Sequence, residues 1–279
     1  GVYYPRMTAV SVAETLALIR QRDARIYMDE PTHVYYLDGI RKVAISGTGF
    51  LHLFFEPFDA KKITEELSAK AKAGSSYHGK SSDEISQMWA AGTANGSKMH
   101  KNIETYWNAV MAGDDISPET THATEDYGLF AQFLTWFRRT NLRPFRTEWM
   151  IYDEEYDIAG SIDFVAYNPS TDKYWVIDWK RSNRLRRESY RHKKGLHCCA
   201  SVDDCNGNHY QLQVNLYQHI LEKNYGIQIE QCVVVNLHPA ISKMDILVCD
   251  DLQDMIRSML QFWTENKERL VTAHKPETI

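Results

Sequence analysis

Two short apolar runs flank a cluster of turn formers between residues 160 and 180, and they predict a strand pair. The second run, Tyr174, Trp175, Val176 and Ile177, is aromatic and β-branched, as strands favour. Between the runs, residues 168–172 read Asn-Pro-Ser-Thr-Asp, a dense set of turn formers. Alternation along the second strand puts Asp178 and Lys180 on one face and Ile177 and Trp179 on the other. Elsewhere the periodicity predicts helices over 8–24, 60–73, 83–111, 121–140, 209–224 and 250–267. Asp83 is the expected cap of the long helix. A small hairpin is expected from 33–36 and 42–45 around Asp38 and Gly39, with a packed aromatic connector over 50–58. Further strands are expected at 146–152, 231–237 and 244–248.

Chemistry enters with the acids on those strands. A hairpin turning at 168–172 brings Asp163 near Asp178. Two carboxylates held that close in apolar surroundings repel unless a cation lies between them. Hard oxygen ligands suit Mg²⁺ or Mn²⁺, and such an ion polarises a phosphoryl oxygen and acidifies a bound water. Lys180 would orient that water and offset charge on the phosphate. Glu148, within the 146–152 strand, would join the metal site or hold a basic side chain. On the long helix Gly96, His100 and Glu104 follow one another at four-residue intervals on one face. A glycine there admits another backbone or a phosphate, and His100 is a candidate metal ligand or phosphate contact. On the 209–224 helix Gln213 and Tyr217 are neighbours one turn apart, beside a core stripe of Leu212, Leu216 and Ile220. The competing reading of these residues is a solvated hairpin, a hydrogen-bonded helix histidine and a polar core edge.

Bulk composition narrows the class. The chain has 279 residues, 43% hydrophobic and 12% aromatic, enough for a substantial core. No apolar run reaches the length of a membrane span, no membrane partner is expected, and no signal-peptide pattern opens the sequence. Five cysteines, an odd count, argue against a disulfide framework and for an intracellular, reducing compartment; nucleus, cytoplasm and organelle are not distinguished. Adjacent Cys198 and Cys199, with His197, Cys205 and His209 nearby, lack the paired spacing of a zinc site. Net charge is −5, yet residues 180–194 read KRSNRLRRESYRHKK with Glu188 the lone acid. A basic run beside an acid pair suits a polyanionic substrate, with Arg181, Arg184 and Arg187 as its expected contacts. A second basic stretch covers 138–146.

Taken in order, the G-x-x-x-H of 96–100, the G-S-I-D of 160–163, the D-W-K of 178–180 and the Q-x-x-x-Y of 213–217 resemble the motifs of the PD-(D/E)XK nuclease superfamily. The likeness is to its RecB-like and lambda-exonuclease-like branch and covers roughly 83–248. Aspartate stands at 178 where many members have glutamate. The resemblance implies an α/β (α+β) fold with a restriction-endonuclease-like core, a mixed β-sheet flanked by helices. Residues 1–80 would form a helical and hairpin extension packed on a core of 81–279, with a basic insertion at 181–209. Carried over, His100, Asp163, Asp178 and the Trp179 carbonyl would bind Mg²⁺ or Mn²⁺. Lys180 would position the attacking water, and Gln213 and Tyr217 would contact substrate or Lys180. Some relatives carry an iron–sulfur cluster on four cysteines; the spacing here predicts none. The expected activity is a metal-dependent DNA exonuclease in repair, recombination or replication, acting on single strands or duplex ends. Trp179 and Tyr190 would stack on unpaired bases. An endonuclease acting on DNA or RNA, and a nuclease-like module that binds nucleic acid without cutting it, are the alternatives.

Overall fold

The computed structural model describes residues 9–121, 125 and 127–273. Helix α1 (Ala9–Asp23) leads into a small antiparallel sheet of β1 (Ile26–Asp29), β2 (Val34–Leu37) and β3 (Arg41–Lys42). Position 8, the first of the expected helix 8–24, lies outside the described residues. The β2–β3 turn falls on Asp38 and Gly39, both at positive φ (53° and 80°), a conformation that glycine and aspartate tolerate. Strand β1 has no counterpart in the predicted pattern. Next come β4 (Ile45–Ser46), α2 (Gly47–His52), α3 (Ala60–Lys70), α4 (Ser82–Ala112), α5 (Pro118–Thr121) and α6 (Tyr127–Arg138). Positions 122–124 and 126 of the expected 121–140 helix lie outside the described residues. The rest is β5 (Arg143–Asp153), β6 (Ile158–Asn168), β7 (Lys173–Lys180), α7 (Asn206–Asn224), β8 (Ile229–Asn236), β9 (Asp245–Val248) and α8 (Gln253–Ala273).

Two local expectations are corrected. The stretch 50–58 is not all connector: α2 runs into it, and Phe50 and Phe54 are fully buried there. The cap of α4 is Ser81, not Asp83. Ser81 Oγ accepts the Glu84 N–H (3.2 Å) and the Glu84 carboxylate accepts the Ser81 N–H (2.8 Å), a reciprocal box that satisfies two otherwise orphaned donors. Asp83 instead lies in the first turn, where its charge favours the helix dipole.

The central sheet is mixed, in the order β4-β6-β7-β8-β9, with β5 on the far edge of β6. β4 runs parallel to β6 and β8 parallel to β7; the other pairs are antiparallel. One face carries α2, α7 and α8 over a core that includes Trp149, Ile162, Val234, Leu216 and Trp263. The other carries α4 and α6 over Trp107, Phe133, Phe164, Ile177 and Trp179. The fold is thus a mixed α/β arrangement, a mixed sheet flanked by helices. The described residues before position 80 are woven into it. β4 is a strand of the main sheet, Phe50 and Phe54 belong to the α7 core, and the small sheet packs through Tyr35, Leu37 and Val43 on Tyr152 and Ala159. Among the described residues no helix is long and apolar enough to cross a membrane. All five cysteines are free thiols.

Strand β6 is where the sheet forks. Along one edge its residues 158–159 pair with β4, and its residues 164–168 pair with β7. Among the described residues, positions 160–163 between them have no strand partner on that edge. Tyr217 from α7 closes the fork: its ring lies against Gly47 and Gly160, where an added Cβ would meet ring carbon at 2.7 and 2.5 Å. Glycine is required at both positions by that close approach.

Candidate metal centre

Four elements converge at the open end of the fork. Asp163 lies at the mouth, one residue before the β6–β7 ladder begins at Phe164 and Ile177. Ile162 belongs to the α7 core and Phe164 to the α4/α6 core, so regular alternation breaks across Asp163. Glu148 stands opposite on β5, between the pairs Thr147–Phe164 and Trp149–Ile162. Its φ is +43°, an uncommon conformation for a strand glutamate, and one of the kind that clusters at functional sites. His100 reaches in from α4, and its Nδ1 is 3.5 Å from Asp163 Oδ1. His100, Glu148 and Asp163 each offer a ligand atom, all within 4.8 Å of one another.

The other carboxylate oxygen of Asp163 accepts the Trp179 backbone N–H at 2.8 Å. The neighbouring Lys180 carbonyl accepts from Leu237 N, so Lys180 directs its backbone toward β8 and Trp179 directs its own toward β6, as a parallel ladder requires. The Trp179 side chain is only 1% exposed and packs against Phe130, Phe133 and Phe164. It is core, which corrects the expectation that it stacks on bases; Tyr190 is 69% exposed.

Asp178 and Lys180 share a face as the alternation predicts, and Lys180 Nζ lies 2.9 Å from Asp178 Oδ2. Among the described residues the group close enough to share a cation is thus His100, Glu148 and Asp163, whereas His100, Asp163 and Asp178 were the expected set. Asp178 is engaged by Lys180 beside that group. Lys180 also lies over the Tyr210 ring, 4.8 Å from its centre. Tyr217 does not reach Lys180 but is buried at the fork, where it and Thr48 Oγ1 both accept from Gln213 Nε2 (3.2 Å each). Tyr210 was missed, although it precedes Gln213 and Tyr217 by three and seven residues on the same helix face.

The electrostatics follow from crowding. Burial opposes a charged His100, but the Asp163 carboxylate outweighs it and lifts the imidazole to about 9. Burial and the nearby charge of Asp163 push Glu148 up to about 7. Burial likewise lifts Asp178 to about 6 against the pull of Lys180. Burial would raise Asp163, yet His100 and Lys180 hold it below the usual carboxylate range. Burial disfavours the Lys180 ammonium, but Asp178 and Asp163 hold it strongly protonated. Glu104, one turn beyond His100 and paired with Lys101 at 2.9 Å, adds to the negative field on Glu148. Carboxylates outnumber bases here, and a divalent cation among one imidazole and two carboxylates would relieve them.

The basic insertion after β7 is held close to this end of the sheet. Ser182 N–H donates to Asn236 Oδ1, and Asn206 Nδ2 donates to the Arg184 carbonyl. Gly207 approaches Arg186 so closely that a Cβ would lie 2.2 Å from its carbonyl oxygen. Arg184 and Arg187 are exposed. The Arg181 side chain is 11% exposed and faces Glu125 at 3.9 Å, so it is less open than a substrate contact was expected to be. Gly96 sits one turn before His100 with no atom within 4 Å of where its Cβ would be.

No family model matches this chain, and no curated protein does. Among solved structures one match is described as the crystal structure of SSO0001, at 13% identity over 94% of this chain and 87% of that one. Its TM-score is 0.34, and a likeness at that level carries no argument.

Proposed function

We propose that this protein is a divalent-metal-dependent nuclease of the PD-(D/E)XK type, hydrolysing DNA phosphodiesters as an exonuclease. The observation that carries the reading is the meeting of His100, Glu148 and Asp163 within 4.8 Å, beside the Asp178–Lys180 pair at the fork of a mixed sheet. His100, Glu148 and Asp163 would hold Mg²⁺ or Mn²⁺, with Asp178 and the Trp179 carbonyl at its border. One nitrogen in the donor set suits Mn²⁺ better than Mg²⁺. When bound, the cation supplies a polarised phosphoryl oxygen and an acidified water.

The chain's own groups do the rest. Lys180 keeps its proton, so it donates hydrogen bonds to the attacking water and offsets charge on the phosphate rather than abstracting a proton. Asp178 fixes Lys180 Nζ from one side and the Tyr210 ring supports it from another. Asp163 is aimed by the Trp179 N–H. Arg184 and Arg187 give the approaching strand a cationic border.

The test is incubation with end-labelled single- and double-stranded DNA, linear and circular, in Mg²⁺, Mn²⁺ or EDTA, beside Asp163→Ala and Lys180→Ala. Metal-dependent loss of linear DNA alone, abolished in both variants, is the expected result. Cut circles would replace the exonuclease with an endonuclease. Binding without any cutting of DNA or RNA would overturn the catalytic reading.

A further inference from the structure

Helix α4 belongs to two bodies. Its C-terminal half is core: Met99, Ile103, Tyr106 and Trp107 are buried there, and His100 enters the metal centre. Its N-terminal half packs on α3, and this second body has a small interior of its own. Ile85 and Thr64 are buried in it. Phe58 and Tyr77 flank Trp89, whose indole N–H donates to Tyr77 Oη at 3.1 Å. Asp59 caps α3 and the Ser81–Glu84 box caps α4. Among the described residues, the three apolar cores take no side chain from 57–98. The side-chain hydrogen bonds and ring contacts of that stretch also stay within it.

Two links tie this body to the rest. One is the pair Glu56 and Pro57, which follows Phe55, whose ring centre lies 4.1 Å from that of His209. Glu56 meets Lys193 at 3.6 Å, an exposed pair that adds little. The other link is α4 itself. Its residues 90–98 read Ala-Ala-Gly-Thr-Ala-Asn-Gly-Ser-Lys and are exposed except for a half-buried Gly96. Gly92, Thr93, Asn95, Gly96 and Ser97 are all weak helix formers. Thr93 Oγ1 donates to the Trp89 carbonyl at 3.1 Å and Ser97 Oγ to the Thr93 carbonyl at 3.2 Å. Such back-bonding weakens a helix and bends it. An added Cβ at Gly92 or Gly96 would meet nothing within 4 Å, so close packing does not call for either glycine. Trp89 and His100 are eleven residues apart, so they share a face about 16 Å apart along the axis. The α3 body and the metal centre therefore flank one side of the span. A kink of about 20° at Gly96 moves Trp89 by about 4 Å relative to His100.

We propose that residues 57–89 form a jaw hinged on the 90–98 span of α4, which widens and narrows the approach to the metal centre. What enters the jaw rests on the nuclease reading; the hinge does not. Closures of this kind set turnover through substrate entry and product release.

The experiment is amide hydrogen exchange by mass spectrometry on the full chain without metal, in wild type and Gly92→Ala/Asn95→Ala. A hinge predicts that the amides of 94–100 are less protected than those on both sides, 85–89 and 101–111, while α3 stays protected. The double substitution should raise protection in 94–100 on the order of tenfold and leave both flanks unmoved. Protection that falls steadily from 111 toward 82 would mean simple fraying and would overturn the hinge. So would α3 exchanging together with the span, which would mean that the whole body melts. On DNA with Mn²⁺, the double variant should turn over more slowly than wild type with its single-turnover rate unchanged. Equal turnover would overturn the jaw's control of the approach. Failure of the wild type to cut DNA, with the exchange pattern intact, would remove the nuclease reading and leave the hinge.

Discussion

At the residue scale the decisive contrast is between Lys180 and its neighbours. Lys180 is held protonated by Asp178 and Asp163, so its removal should strike the reaction more than the metal. Lys180→Ala should lower the cleavage rate on the order of a hundredfold or more while Mn²⁺ affinity by calorimetry stays near wild type. Loss of Mn²⁺ binding in this variant would place Lys180 among the groups that build the site instead. The acids and the imidazole set a pH dependence with a definite sign. In the metal-free chain His100 is raised from 6.5 to about 9, Glu148 from 4.5 to about 7 and Asp178 from 3.8 to about 6. A raised value contributes stability that is complete below the ordinary pKa and lost as pH climbs through the shifted one. Asp163, held low, works oppositely and loses its contribution only as pH falls through its depressed value. Cation binding needs the deprotonated ligands. The gain in Tm on adding a fixed Mn²⁺ concentration should therefore grow from pH 5.5 to 8.5, and a gain that stays flat over that range would contradict this ligand set.

At the element scale two glycines separate packing from access. Gly160→Ala would put a Cβ 2.5 Å from the Tyr217 ring, which Gln213 and the α7 core hold in place. It should cost about 1–3 kcal/mol by urea denaturation, with much of the loss recovered in Gly160→Ala/Tyr217→Leu because the two sites share the clash. Additive losses would mean that the fork relaxes without Tyr217. Gly96→Ala meets no neighbour and should stabilise α4 by up to about 1 kcal/mol, yet weaken oligonucleotide binding if the backbone there faces substrate. Both motifs were legible as short strings, G-S-I-D and G-x-x-x-H, but the spacing says nothing of why each glycine is there. One accommodates a ring from α7; the other borders open space.

At the scale of the whole molecule, residues 9–80 complete the sheet edge and the core on which the site is built. Removing them would strip β4 from the sheet edge, uncover Tyr152 and Ala159, and take Phe50 and Phe54 from the α7 core. Each large apolar side chain lost in this way forfeits about 1.5–3 kcal/mol. A chain of 81–279 should therefore show no cooperative thermal transition, whereas the full chain should unfold in one. A sharp transition in the shortened chain would restore the picture of an extension laid on an independent core.

Periodicity and turn chemistry were enough to locate the strand pair at 160–180, the long helix with His100 and the helix with Gln213 and Tyr217. Those signals are local: alternation, a four-residue repeat and a Pro-containing turn act between near neighbours in the chain. They also put Asp178 and Lys180 on one face, since two residues along a strand share a side whatever it packs against. Which carboxylates meet is not local. Glu148 joins His100 and Asp163 through a left-handed backbone on β5 opposite a break in alternation on β6. That geometry exists only once two strands are paired and two cores compete for opposite faces. Burial of Trp179, support of Lys180 by Tyr210 and the fork closed by Tyr217 likewise depend on elements far apart in sequence. Their distances are set by packing, and no spacing along the chain encodes them.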